Sequence, residues 1–212
     1  MGTYEKNCIV KIFFDLDGTL IDSKTRLYKL FQYLVPLSNF SYHDYWKLKK
    51  GGIGHQKILI DYFQFTTEQI HLFNEKWMDL IEKKHWLDFD KPFDGVTEKL
   101  SNLQQNGHQL YIVTARQKKE PVLNQVNTFK WNHFFEEVLV TEQKKEKVEL
   151  IRPFIDTTNC IVVGDTGKDI ETGKKLNART VAVLSGFLNE KTLKKYNPDV
   201  IIDNLTSFNT EF

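Results

Sequence analysis

Two pairs of aspartates define the chemistry open to this sequence. Asp15 and Asp17 stand two residues apart in Asp15-Leu16-Asp17-Gly18-Thr19, directly after the apolar run 8–14. Asp165 and Asp169 belong to Gly164-Asp165-Thr166-Gly167-Lys168-Asp169, directly after the apolar run 160–163. A carboxylate at the end of a buried strand is costly unless it is paired or has a task. Alone, the first pair reads equally well as a turn, since Asp-Gly favours one. Together the two motifs bring three or four acids to one point, where they repel each other unless a cation lies between them. All-oxygen ligands favour a hard ion that keeps several waters, so Mg²⁺ fits better than a soft metal.

Other polar groups fall at matching positions. The run 109–114 ends in Thr114-Ala115-Arg116, which offers a hydroxyl and a short backbone segment as candidate substrate contacts. Arg116 either meets an anion there or caps a helix. A lysine at the start of the helix before the fourth run would supply counter-charge to a phosphate. Lys147 is the choice, because Leu150 and Ile151 follow at the spacing that buries the helix while the lysine faces the sheet edge. Lys144 and Lys145 remain alternatives. Gly167-Lys168 is not a phosphate loop of the GxxxxGK type: Val162 occupies the upstream glycine position and Asp169 follows the lysine.

These residues need strands to carry them. Apolar, β-branched runs at 8–14, 109–114, 138–140, 160–163, 180–184 and 200–202 have the near-continuous hydrophobicity of strands buried on both faces of a parallel sheet. Helix-like stretches at 96–105, 148–154 and 170–176 alternate with the later runs, which implies right-handed βαβ units and an α/β domain. Between 21 and 90 the rhythm breaks and no strand is expected. Helical spacing recurs there at 26–34, 42–49, 55–63 and 67–86, the last with Ile70, Phe73, Trp77, Leu80 and Ile81 on one stripe and Thr66 or Thr67 as its cap. The expectation is a Rossmann-like three-layer core with a parallel sheet, made of 1–20 and 91–212, and an inserted α-helical domain at 21–90. The segment Lys49-Lys50-Gly51-Gly52-Ile53-Gly54-His55 suits either a plain turn or a loop that reaches the site, with Lys50 and His55 as candidate substrate contacts.

Composition narrows the partners. The 212 residues carry 29 Lys and Arg against 28 Asp and Glu, so a net charge of +1 gives no electrostatic reason to expect nucleic acid or an anionic membrane. Cys8 and Cys160 each open an apolar run and read as small buried hydrophobes, and no histidine spacing suggests zinc. The polar residues 1–6 do not resemble a secretory leader, and Lys6 breaks the myristoylation pattern begun by Gly2. The expected location is the cytoplasm.

Taken in order, the DxDGT segment, the run ending in Thr114, the lysine and the GDxxxD segment resemble the haloacid dehalogenase superfamily, over about 8–203. The helical insert is similar to that superfamily's type 1 cap. Ser185-Gly186-Phe187 and the tail 198–203 resemble phosphoglycolate phosphatase-like members. The resemblance implies a phosphatase acting on a small phosphorylated metabolite, with Asp15 as covalent nucleophile and Asp17 as acid/base. It implies Thr114 and Lys147 on the phosphoryl oxygens, and Mg²⁺ held by Asp15, the Asp17 carbonyl, Asp165 and Asp169, the last directly or through water. A phosphomutase of the beta-phosphoglucomutase type and a non-catalytic phospho-ligand binder are the alternatives. Asp17 speaks against a dehalogenase, which lacks that acid/base aspartate.

Overall fold

A computed structural model describes residues 9–155 and 159–210, so the readings made for Cys8 and for residues 1–6 lie outside the described residues. The chain begins with β1 (Lys11–Phe14), in which Ile12, Phe13 and Phe14 are wholly buried. A two-residue strand β2 (Ile21–Asp22) leads into helices α1 (Lys24–Leu34), α2 (Tyr42–Lys50), α3 (His55–Phe63), α4 (Thr67–Leu80) and α5 (Lys84–Leu87). The return strand β3 (Lys91–Pro92) pairs antiparallel with β2. Alternation then follows: α6 (Val96–Gln105), β4 (Gln109–Thr114), α7 (Lys119–Thr128), β5 (Phe135–Val140), α8 (Lys147–Ile151), β6 (Cys160–Gly164), α9 (Gly167–Lys175), β7 (Arg179–Val183), α10 (Glu190–Leu193) and β8 (Val200–Ile202).

Six strands form one parallel sheet in the order β5-β4-β1-β6-β7-β8. The chain winds outward from β1 through β4 to β5, then returns to β6 on the other side of β1. The reversal therefore lies between β1 and β6, and the carboxyl ends of such strands are where open α/β sheets bind ligands. Both faces are covered. Ile12 and Phe14 share a core with Val96 and Leu100 of α6 and Val122 of α7. Phe13 turns the other way, stacks on Tyr111 at 4.7 Å and shares a second core with Ile151 of α8. This is the three-layer α/β arrangement expected. Cys160 is buried at the start of β6.

The helices α1 to α4 enclose an aromatic core of their own around Phe31, Tyr45, Trp46, Ile58 and Phe73. Thr66 caps α4 through a capping box with Gln69. Three differences from the sequence reading have physical causes. The β2–β3 ribbon is too short to show any periodicity. The helix expected over 67–86 stops at Leu80, where the Ile81 carbonyl accepts a hydrogen bond from Arg26 Nη1 at 3.0 Å, and restarts as α5. The helix α7 went unrecognised, because Val122 and Val126 are only two apolar positions among polar neighbours.

Candidate active site

The backbone places Asp15 directly at the switch point. Its amide donates to the Val163 carbonyl at 2.9 Å, extending the β1–β6 pairing by one residue. Leu16 is buried in the core, while Asp15 and Asp17 on either side of it line one cavity. Gly18 follows with φ +87°, a conformation that strains any residue with a side chain. A Cβ at Gly18 would also strike the Asp165 carboxylate, and one at Gly186 would do the same from the loop after β7. These two glycines let the loops close around Asp165. The Phe187 amide then donates to Asp165 Oδ2 at 2.7 Å.

Asp15, Asp165 and Asp169 are all buried, and each presents an oxygen within 4.8 Å of the others. Asp169 sits in the first turn of α9, where its Oδ2 accepts from the Thr166 amide at 3.1 Å and hydroxyl at 2.6 Å. Lys147, the first residue of α8, reaches across. Its ammonium donates to Asp15 Oδ1 at 2.5 Å and to Asp169 Oδ1 at 2.6 Å. Burial pushes the Asp15 carboxyl up to about 7; Lys147 opposes the rise and Asp169 adds to it. Burial, then Asp15 and Asp169, carry Asp165 well above the carboxylate range. Three acids sharing one lysine are short of positive charge, and every donor is a hard oxygen. The residues present therefore fit a divalent ion such as Mg²⁺.

Asp17 is held differently. Arg116 grips both of its oxygens, Nε to Oδ2 at 2.5 Å and Nη2 to Oδ1 at 2.8 Å. Arg26 Nη2 bonds the same Oδ1. Burial raises the Asp17 carboxyl, but Arg116 and then Arg26 outweigh it and hold the group well below its ordinary range. Behind this pair lies Asp90, fully buried, with its Oδ1 3.0 Å from Arg26 Nε and its Oδ2 3.3 Å from Arg116 Nη2. Gln125 Nε2 donates to the same Oδ2 at 2.9 Å. Neither Arg26 nor Asp90 was singled out from sequence. A signal existed for Arg26, which shares the apolar stripe of Leu30 and Leu34 where a charge needs a partner. Asp90 gave none.

A cavity of about 290 Å³ opens over these groups, lined among others by Asp15, Asp17, Thr114, Ala115, Arg116 and Lys147. Thr114 is buried, and the Ala115 carbonyl accepts from Gln143 Nε2 at 2.7 Å. Lys144 and Lys145 line an outer cleft instead and do not reach the acids, so of the three lysines only Lys147 does. Lys50 and His55 are not among the residues lining the main cavity. The Lys50 carbonyl accepts from the Asn189 amide at 2.9 Å, and His55 is packed among Phe31, Phe73 and Trp77 with its Nε2 2.7 Å from the Tyr45 hydroxyl. Lys49 takes the position expected of Lys50. It lines an adjoining apolar cleft with Tyr45, Trp46, Ile53, Phe187 and the candidate His55, and burial alone lowers its ammonium to about 8. Leu27, Thr166 and Phe187 border both spaces.

Comparison with known proteins decides the family. A model described as haloacid dehalogenase-like hydrolase matches residues 12–183. The chain belongs to that family. A phosphoglycolate phosphatase from Aquifex aeolicus is 28% identical over 196 residues, covering 84% of this chain and 85% of the relative. A pyrophosphatase PpaX from Listeria innocua is 24% identical over 210 residues, covering 93% and 94%. Among solved structures, a haloacid dehalogenase-like hydrolase from Streptococcus pneumoniae superposes with a TM-score of 0.76 at 22% identity, covering 93% of this chain and 95% of that one. The fold of this hydrolase, with its parallel sheet and inserted helices, is that of its structural neighbours.

Proposed function

We propose that this hydrolase is a Mg²⁺-dependent phosphatase that cleaves a small phosphomonoester through an aspartyl-phosphate on Asp15. The observation that carries the reading is the cluster of Asp15, Asp165 and Asp169, with oxygens within 4.8 Å of one another and Lys147 bridging two of them. One carboxylate oxygen of Asp15 attacks phosphorus as the bond to the ester oxygen breaks, which splits one difficult displacement into two. Thr114 and Lys147 hold the transferring oxygens at the carboxyl end of the sheet. Asp17 carries the acid/base role. Substrate entry must first loosen the arginine contacts that hold it ionised, so that it takes up a proton. It gives that proton to the departing alkoxide, then takes one from the water that hydrolyses the acyl-phosphate and returns Asp15. Mg²⁺ would be held by Asp15, the Asp17 carbonyl, Asp165 and Asp169, and when bound it offsets the repulsion between an anionic carboxylate and an anionic phosphate.

In this reading residues 1–20 and 91–212 form the catalytic core and 21–90 a cap that selects the substrate. The cavity suits a small metabolite. Lys49, in the apolar cleft beside it, suits a leaving group with a negative charge of its own. 2-Phosphoglycolate and pyrophosphate, suggested by the relatives' names, share that property. The balanced net charge offers no attraction for nucleic acid, and no helix of the described residues is long and apolar enough to cross a membrane. The cytoplasm is the proposed location. Phosphate release from a panel that includes 2-phosphoglycolate, pyrophosphate and sugar phosphates, with Mg²⁺ and with EDTA, tests the reading. Release that needs Mg²⁺ supports it. A folded protein that releases phosphate from no member of the panel overturns it.

A further inference from the structure

Two arginines meet one carboxylate in this site, and they come from different parts of the chain. Arg116 follows β4 and belongs to the sheet edge. Arg26 lies in α1, the first inserted helix, and its side chain is only 2% exposed. Its guanidinium donates to Asp17 Oδ1 and, at 3.0 Å, to the Ile81 carbonyl, and its Nε lies 3.0 Å from Asp90 Oδ1 as an ion pair. Asp90 stands where the chain returns from the insert to β3, and Ile81 where α4 ends. Arg26 is the cation of the insert that bonds Asp17. The four groups are two acids and two cations, so the buried set balances only when complete.

We infer that Arg26 is a positioning residue for Asp17, anchored by Asp90, through which the seating of the helical insert sets the orientation of the acid/base group. The inference rests on the role of Asp17 given under Proposed function. Arg116 alone fixes Asp17 to the sheet edge. Arg26 adds a second contact to Oδ1 and is itself held by the Ile81 carbonyl and paired with Asp90, so Asp17 is aimed only while α1, the end of α4 and the return segment are in register. A lysine cannot reproduce this. Its ammonium is a compact point charge, whereas the guanidinium's planar fork donates to Asp17 and to the Ile81 carbonyl while it pairs with Asp90.

Two aryl phosphates separate positioning from general damage. p-Nitrophenolate departs from phosphorus without a proton, whereas phenolate, on the same ring, departs more readily with one. The value of kcat/KM reports the steps up to loss of the leaving group. We expect Arg26→Lys and Asp90→Asn to lower kcat/KM for phenyl phosphate by about tenfold to a hundredfold, the size of effect a misplaced catalytic group produces. For p-nitrophenyl phosphate the fall should stay within about threefold. The paired variant Arg26→Gln with Asp90→Asn removes both charges together and guards against loss of folding. Its Tm should exceed that of Arg26→Gln alone while the discrimination between the two esters stays altered. Equal falls on both esters, or no fall on either, in a folded and active variant would overturn the inference. Wild-type protein that with Mg²⁺ hydrolyses neither ester nor any member of the metabolite panel would instead overturn the proposed function, and this inference with it.

Discussion

The ammonium of Lys147 stands 2.5 Å from Asp15 Oδ1, with Asp169 Oδ1 2.6 Å away on its other side. One cation from α8 thus serves acids from two different strand ends, and Asp15 and Asp169 both raise its proton affinity against the effect of burial. Lys147→Met should leave two buried carboxylates without their shared partner, a loss of about 3–5 kcal/mol for a broken buried pair. Phosphate release should fall about a hundredfold to a thousandfold, as when one electrostatic stabiliser is removed. Lys144→Met and Lys145→Met, which line only the outer cleft, should stay close to wild type in the same assay.

Asp15→Asn tests the covalent step itself. The amide is nearly isosteric but does not attack phosphorus, so turnover should fall by more than about a thousandfold, in line with removal of other catalytic nucleophiles. Mass spectrometry of acid-quenched enzyme should find a phosphoryl adduct on the wild type and none on the variant. Unchanged turnover in Asp15→Asn would rule out Asp15 as nucleophile.

The sheet and the acid cluster were legible because each has a local signature. Six runs of buried-strand character were visible, and Asp15, Asp17, Asp165 and Asp169 follow two of them directly. Lys147 could be preferred over Lys144 and Lys145 from the burial pattern of Leu150 and Ile151 alone. What escaped depends on tertiary contact. Asp90 lies in a segment with no periodicity, and its partners Arg26 and Gln125 are 64 and 35 positions away in sequence. The stop of α4 at Leu80 is likewise marked by no helix-breaking residue and coincides with a bond from Arg26 to the Ile81 carbonyl. Choosing Lys49 over Lys50 required knowing which face of α2 meets the cleft, and the sequence of that turn does not encode it.

Lys49 offers a direct test of substrate class. Its ammonium lines an apolar cleft, and burial lowers it to about 8, so an anionic partner would be bound strongly there. Lys49→Met should lower kcat/KM for 2-phosphoglycolate about tenfold to a hundredfold, the worth of one hydrogen bond to a charged group. Hydrolysis of ethyl phosphate, similar in size but without the second charge, should change little. Equal losses on both esters would mean that Lys49 supports the cap rather than reads the substrate.

The acid cluster also predicts how stability responds to pH and to metal. The Asp15 carboxyl rises from an ordinary 3.8 to about 7 in the folded protein, and Asp165 rises as well. Between those two values the folded chain holds more protons than the unfolded chain, so its stability falls as pH rises through that window. Asp17 is shifted the other way, so its favourable contribution is already complete above 3.8 and does not change across the window. In EDTA, this cluster should therefore make Tm higher near pH 5.5 than near pH 8. Mg²⁺ binds the ionised acids in competition with protons, so the Tm rise it produces should be larger near pH 8 than near pH 5.5. Asp165→Asn should flatten the EDTA profile and shrink the Mg²⁺ response together, because the same carboxylate underlies both. A Mg²⁺ response equal at the two pH values would show that the ion does not bind at these three aspartates.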